Sequence, residues 1–202
     1  MHVKKQQVNH SAKEKLPLAV YITTVVGFFV AIGYGLIVPA IPLFAESFGV
    51  SNAAVGFIVS AFAFSRFSSG VVAGKSVEKF GERLTLGVGL FIVAASSFLS
   101  GLAQNFWQLL VFRALGGIGS MAFSVSASAI IMRVSSNSQR GRAQATYNAG
   151  FLVGTMAGPA FGGILTTISL RIPFFVYTAT LTAGGATALI FLHEKNLTHR
   201  HN

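Results

Sequence analysis

Long apolar runs separated by short polar breaks set the pattern of this chain. Six runs stand out, at residues 16–44, 53–73, 84–103, 106–132, 143–168 and 172–192. A helix rises about 1.5 Å per residue, so about 20 residues cross the hydrocarbon core of a bilayer, and every run is long enough. The runs are continuous rather than alternating. That favours helices over barrel strands, since a helix satisfies its own backbone in lipid. Ser51 and Asn52 can cap the second run, and Ser138 the approach to the fifth. Trp107 falls at a run end, where an indole prefers the interface. The pattern predicts an all-α membrane protein with six transmembrane helices. Residues 1–15 form a basic tail without apolar periodicity, expected to be disordered, and residues 193–202 form a second tail or the start of a linker to further sequence. The first run is too long for the apolar core of a signal peptide.

Composition agrees: the 202 residues are 52% hydrophobic and 10% charged, where a soluble domain carries about 25% charged residues. The net charge of +10 would suggest nucleic acid in a soluble chain. Here twelve of the fifteen lysines and arginines fall in tails and loops on one side of the bundle, and only Arg171 falls on the other. Arg66 and Arg113 lie within runs. This is the bias that sets membrane orientation, and it places both termini in the cytoplasm. It implies lipid, not nucleic acid. With no cysteine, disulfides and thiolate chemistry are closed. No nucleotide loop or catalytic triad is present, so an enzyme, a metal and a cofactor are not expected. His199 and His201 read as solvated tail residues, since no third ligand is fixed nearby.

Four stretches carry more than packing. Residues 74–83 read G-K-S-V-E-K-F-G-E-R, a short charged turn between the second and third runs. Its form resembles the signature loop between the second and third helices of the major facilitator superfamily. Gly74, Lys79, Gly81 and Arg83 match, Glu78 stands for the usual aspartate, and Glu82 for a usual basic residue. In that family the loop helps to govern the conformational switch. In the fourth run, Arg113 followed by Gly116, Gly117 and Gly119 resembles a family element whose arginine is implicated in proton coupling among drug exporters. An arginine inside a span costs about 2.5–3.5 kcal/mol on insertion scales, so it faces a cavity or partner unless it snorkels outward. In the fifth run, Gly154, Gly158 and Gly162 recur every fourth residue with Pro159 and Gly163. Such a face lets another helix pack backbone to backbone. The stretch also matches the fifth-helix signature of the superfamily's exporters, including multidrug–proton antiporters. The first run holds Gly33, Tyr34, Gly35, Pro39 and Pro42, similar to a glycine-broken first helix closed by paired prolines. Leu170-Arg171-Ile172-Pro173-Phe174 is similar to the junction before the sixth helix.

The resemblance covers residues 16 to about 192. It implies the N-terminal half of a major facilitator fold, two inverted three-helix repeats, with substrate bound against a second six-helix half. That half would be missing from a fragment or truncated frame, or supplied by another chain. The implied activity is proton-coupled export of small lipophilic or cationic compounds across the plasma membrane. A metabolite or sugar exporter, or a non-transporting membrane fragment, is the other reading. Candidate substrate and coupling residues are Arg113, Tyr34, Tyr147 and Asn148. Arg113 is expected to face the cavity near Tyr34. Arg66 can either snorkel or face the cavity. Ser124, Ser126, Ser128 and Gln144 are expected to be satisfied by helix backbones. All five acids, Glu14, Glu46, Glu78, Glu82 and Glu194, fall in tails, loops or span ends, so the chain has no carboxylate at membrane depth.

Overall fold

A computed structural model describes residues 15–192. The expectations for the two tails and their histidines lie outside the described residues. Among the described residues eight helices follow one another: α1 (Leu18–Ile37), α2 (Ala40–Glu46), α3 (Asn52–Ser68), α4 (Gly70–Phe80), α5 (Glu82–Leu102), α6 (Phe106–Val134), α7 (Arg140–Ile168) and α8 (Ile172–Phe191). Five stretches are long and apolar enough to cross a membrane, with α1 and α2 together making the first. The sixth is α3 with α4, bent by 46°.

The breaks have local causes. Pro39 lacks the N–H that would continue α1, and α2 starts just beyond it. Gly33 and Gly35 do not break α1, contrary to expectation. Both are buried inside it, and Gly35 lets the Gly158 backbone approach. The α3–α4 bend sits at Ser69 in a Ser-Ser-Gly run, the composition at which helices kink. The charged turn expected over residues 74–83 is also corrected. α4 stays helical through Phe80, because Lys75, Glu78 and Lys79 are good helix formers that can hold their charges outward. Only Gly81 leaves the helix, at φ 82° and ψ 161°, a region essentially restricted to glycine. Asn105 caps α6 by accepting from the Gln108 N–H. Neither Ser51 nor Ser138 makes the side-chain cap expected of it.

The packing repeats. α1 lies on α7 and α8, α5 on α6 and α8, and α3 with α4 on α6. Exchanging the first three spans with the last three maps the α1·α7 contact onto α6·α3, and α5·α6 onto α8·α1. It leaves α5·α8 in place. This is the arrangement of two three-helix inverted repeats. Arg171 closes one end, its guanidinium donating to the Gly101 and Ala103 carbonyls at 3.3 and 3.2 Å and lying over the Phe44 ring. At the other end Arg133 pairs with Glu82 at 2.8 Å, and Arg83 donates to the Leu189 carbonyl.

Candidate functional site

The two intramembrane arginines organise the interior face of the bundle. A groove of about 350 Å³ opens between α1, α3, α6, α7 and α8. Tyr34, Phe62, Phe123, Phe151 and Tyr177 supply its aromatic walls, and Arg66, Ser120 and Ser124 its polar floor. Arg66 lies near the middle of Asn52–Phe80, and Ser120 near the middle of α6. The groove therefore sits at mid-depth. Arg66 does not snorkel: its guanidinium donates to the Ser120 hydroxyl, and to the Ser124 hydroxyl at 2.8 Å.

Ser120 and Ser124 are four residues apart, on one face of α6. Close approach of α3 makes the bridge possible. At Gly117 an added Cβ would stand 2.9 Å from the Arg66 backbone nitrogen, so only glycine admits α3 this near. Ser65 adds a hydrogen bond across the same seam, donating to the Ala114 carbonyl at 2.5 Å.

Arg113 is 2% exposed. Its guanidinium carbon lies 4.8 Å from the Phe62 ring centroid, and the Tyr34 ring lies 6.4 Å from that same ring. Tyr34 and Tyr177 are within electrostatic reach. Nε and Nη1 have no hydrogen-bond partner, and no hydrogen bond joins Arg113 to Tyr34 among the described residues. Arg113 is buried rather than turned to lipid, yet it is not among the residues lining the groove, and its direct contact is Phe62 rather than Tyr34. Such a group is costly to bury unpaired.

The other candidates separate. Tyr147 is buried with its ring against Gly27 and beside Phe151, and Asn148 is exposed and accepts from Gln144 at 3.0 Å. Neither lines the groove. Gly154, Gly158 and Gly162 are buried against α1, where added Cβ atoms would strike the Phe28, Ile32 and Leu36 carbonyls. Gly163 faces nothing within 4 Å, and Pro159 is exposed. Gly74 also has open space around it, and Glu78 and Lys79 are exposed. Ser124 is held by Arg66 rather than by its helix backbone, and the Ser126 hydroxyl is unpartnered, which corrects the expectation for both. The Arg66–Ser120–Ser124 bridge escaped sequence reading. Its signal was a pair of serines at helical spacing, seven and eleven residues after Arg113.

A helical bundle of inverted repeats, with a polar groove at mid-depth on one face, is the architecture of half a secondary transporter. The chain belongs to the Major Facilitator Superfamily, whose family model matches residues 23–202. It is 28% identical over 182 residues to Multidrug resistance protein 1 of Bacillus subtilis (strain 168), covering 90% of this chain and 46% of that protein. It is 26% identical over 171 residues to the Quinolone resistance protein NorA of Staphylococcus aureus, covering 83% of this chain and 43% of NorA. Thus the chain spans about half the length of the curated relatives it matches. Among solved structures, the human organic anion transporter MFSD10 (TETRAN) superposes with a TM-score of 0.76 at 20% identity, covering 87% of this chain and 47% of that one. The inward-open xylose transporter XylE of E. coli does so with a TM-score of 0.61 at 17% identity, covering 86% and 45%. At these identities the structures establish the fold alone.

Proposed function

We propose that this chain is the N-terminal half of a secondary active exporter of small lipophilic compounds, coupled to protons. Substrate would bind at mid-depth against a second six-helix half. The observation that carries the reading is Arg113, a buried guanidinium without a counter-charge, set behind the aromatic wall of the groove. The names of the relatives support drug export as the activity. A proton carrier would come from the second half, since the acids among the described residues lie at helix ends. A cationic substrate would draw its counter-charge from that half too. Tyr34 shares the Phe62 ring with Arg113 and is the residue proposed to relay substrate occupancy to it. In this proposal the protein lies in the plasma membrane with both termini cytoplasmic, so that cysteines placed at Ser11 and Thr198 resist an impermeant thiol reagent in intact cells.

The test is ethidium efflux from cells that produce the chain together with a six-helix C-terminal half. A protonophore should abolish efflux, Arg113→Ala should do the same, and Arg113→Lys should restore only part, because lysine lacks the planar fork. Efflux that ignores both the protonophore and Arg113 would overturn the reading. One other reading is a membrane partner that does not transport by itself. The same assay on the lone chain addresses it.

A further inference from the structure

Among the described residues, the charged groups at mid-depth are of one sign. Arg66 stands on the groove floor and Arg113 behind the Phe62 ring. The acids Glu46, Glu78 and Glu82 lie at the ends of α2, α4 and α5. A guanidinium offers five N–H donors and no acceptor. The bridge to Ser120 and Ser124 orients that fork without neutralising it, and leaves further N–H groups free. Each serine accepts from Arg66 and so keeps its own O–H to donate. The floor is therefore built of donors around a fixed positive charge, in a low-dielectric groove where such charge is felt strongly. Arg113, 2% exposed and unpartnered at Nε and Nη1, adds a second positive charge from the wall. Above the floor, Phe123, Phe151 and Tyr34 supply apolar ring surface.

We infer that this groove binds organic anions, an aromatic or lipophilic body carrying a carboxylate or sulfonate, with the acidic group on Arg66, Ser120 and Ser124. The inference rests on the exporter reading only in taking this groove as the substrate cavity. Arg66 is the specificity-determining residue. Its two serines hold it at the middle of the span, where it would otherwise bend toward water. The rings favour an aromatic or lipophilic body of a size that fits a groove of about 350 Å³.

The full 202-residue chain in nanodiscs tests this with three size-matched probes: pyrenesulfonate, pyrenylmethylammonium and neutral pyrenylmethanol. Empty nanodiscs correct for partition into lipid. Pyrenesulfonate should bind at least about tenfold more tightly than pyrenylmethylammonium, the scale of a charge-assisted hydrogen bond. Arg66→Gln should remove that preference, with thermal unfolding of the variant reporting that it is folded. Arg66→Lys should restore part of it. The double variant Ser120→Ala with Ser124→Ala should weaken the sulfonate severalfold with the charge still present. Equal or tighter binding of the ammonium probe would overturn the inference, as would sulfonate binding indifferent to Arg66. Protonophore-sensitive efflux of ethidium and of pyrenesulfonate by the paired halves separates the two claims. Efflux of either with sulfonate binding that ignores Arg66 would sink the anion site and spare the exporter. Arg66-dependent binding without efflux of either would do the reverse.

Discussion

The α1·α7 and α3·α6 seams occupy equivalent places in the two inverted repeats, yet they are built from different chemistry. In α1·α7 the contact is backbone on backbone: Gly150, Gly154, Gly158 and Gly162 run along Thr24, Phe28, Ile32 and Leu36. Its hydroxyls serve their own helices, with Thr24 donating to Val20 and Thr155 to Phe151. In α3·α6 a single close approach at Gly117 is flanked by polar groups that reach across, Ser65 to the Ala114 carbonyl and Arg66 to Ser120 and Ser124. The repeat fixes where helices meet, not what the meeting does. One seam is spent on packing, and the other carries charge to the groove.

The largest effect should come from filling the glycine seam. Gly158→Leu places a Cβ 2.6 Å from the Ile32 carbonyl oxygen and 2.7 Å from the Gly35 carbonyl carbon, with the rest of the side chain still to fit. Backbone cannot retreat as a flexible side chain can, so a loss of about 3 kcal/mol is expected, at the upper end for overpacked sites. Insertion should survive, because leucine is well tolerated by lipid. Gly163→Leu belongs to the same motif but meets nothing within 4 Å, and should stay within about 0.5 kcal/mol of the parent. Unfolding of the purified chain measures both. Equal losses would show that the stripe is sensitive for some reason other than contact with α1.

Charge should behave in the opposite way. Arg113 is buried with unpartnered nitrogens, and Met matches its length without a charge. Arg113→Met should therefore stabilise the lone chain, by about 1–4 kcal/mol if it follows other buried-charge replacements, while ending transport by the paired halves. A destabilised Arg113→Met chain would mean that the Phe62 contact compensates the burial.

The six runs, the glycine stripe and an arginine buried within a run were legible because each rests on a short-range pattern: length, spacing of four, one charge in an apolar run. Where reading failed, the cause was tertiary or a matter of degree. The turn at residues 74–83 looked like a loop because it is charged and bounded by glycine. Yet Gly74 is tolerated inside a helix, and only Gly81 needs a conformation other residues avoid. Gly33 and Gly35 looked like helix breakers until α8 and α7 were seen packed on them. Arg66 could not be assigned from sequence, because snorkelling and cavity exposure differ only by which helix lies beside it. Ser124 was read as self-satisfied for the same reason.

The smallest expected effect bears on the comparison most directly. Ser65 donates to the Ala114 carbonyl across α3·α6, whereas Thr155 donates to Phe151 within α7. Hydrogen bonds between helices in a membrane are worth about 0.6 kcal/mol on average and at most about 1.7, because the separated helices find other partners. Ser65→Ala should cost about that much. Thr155→Val removes a bond that spans no interface and keeps the branched shape, so its cost should be near zero. The two variants, unfolded under the same conditions, isolate the cross-helix contribution with little change in volume. If Ser65→Ala costs no more than Thr155→Val, the Ser65 bond adds nothing to the α3·α6 seam beyond packing, and the Arg66 bridge to Ser120 and Ser124 is left as the polar tie between those helices.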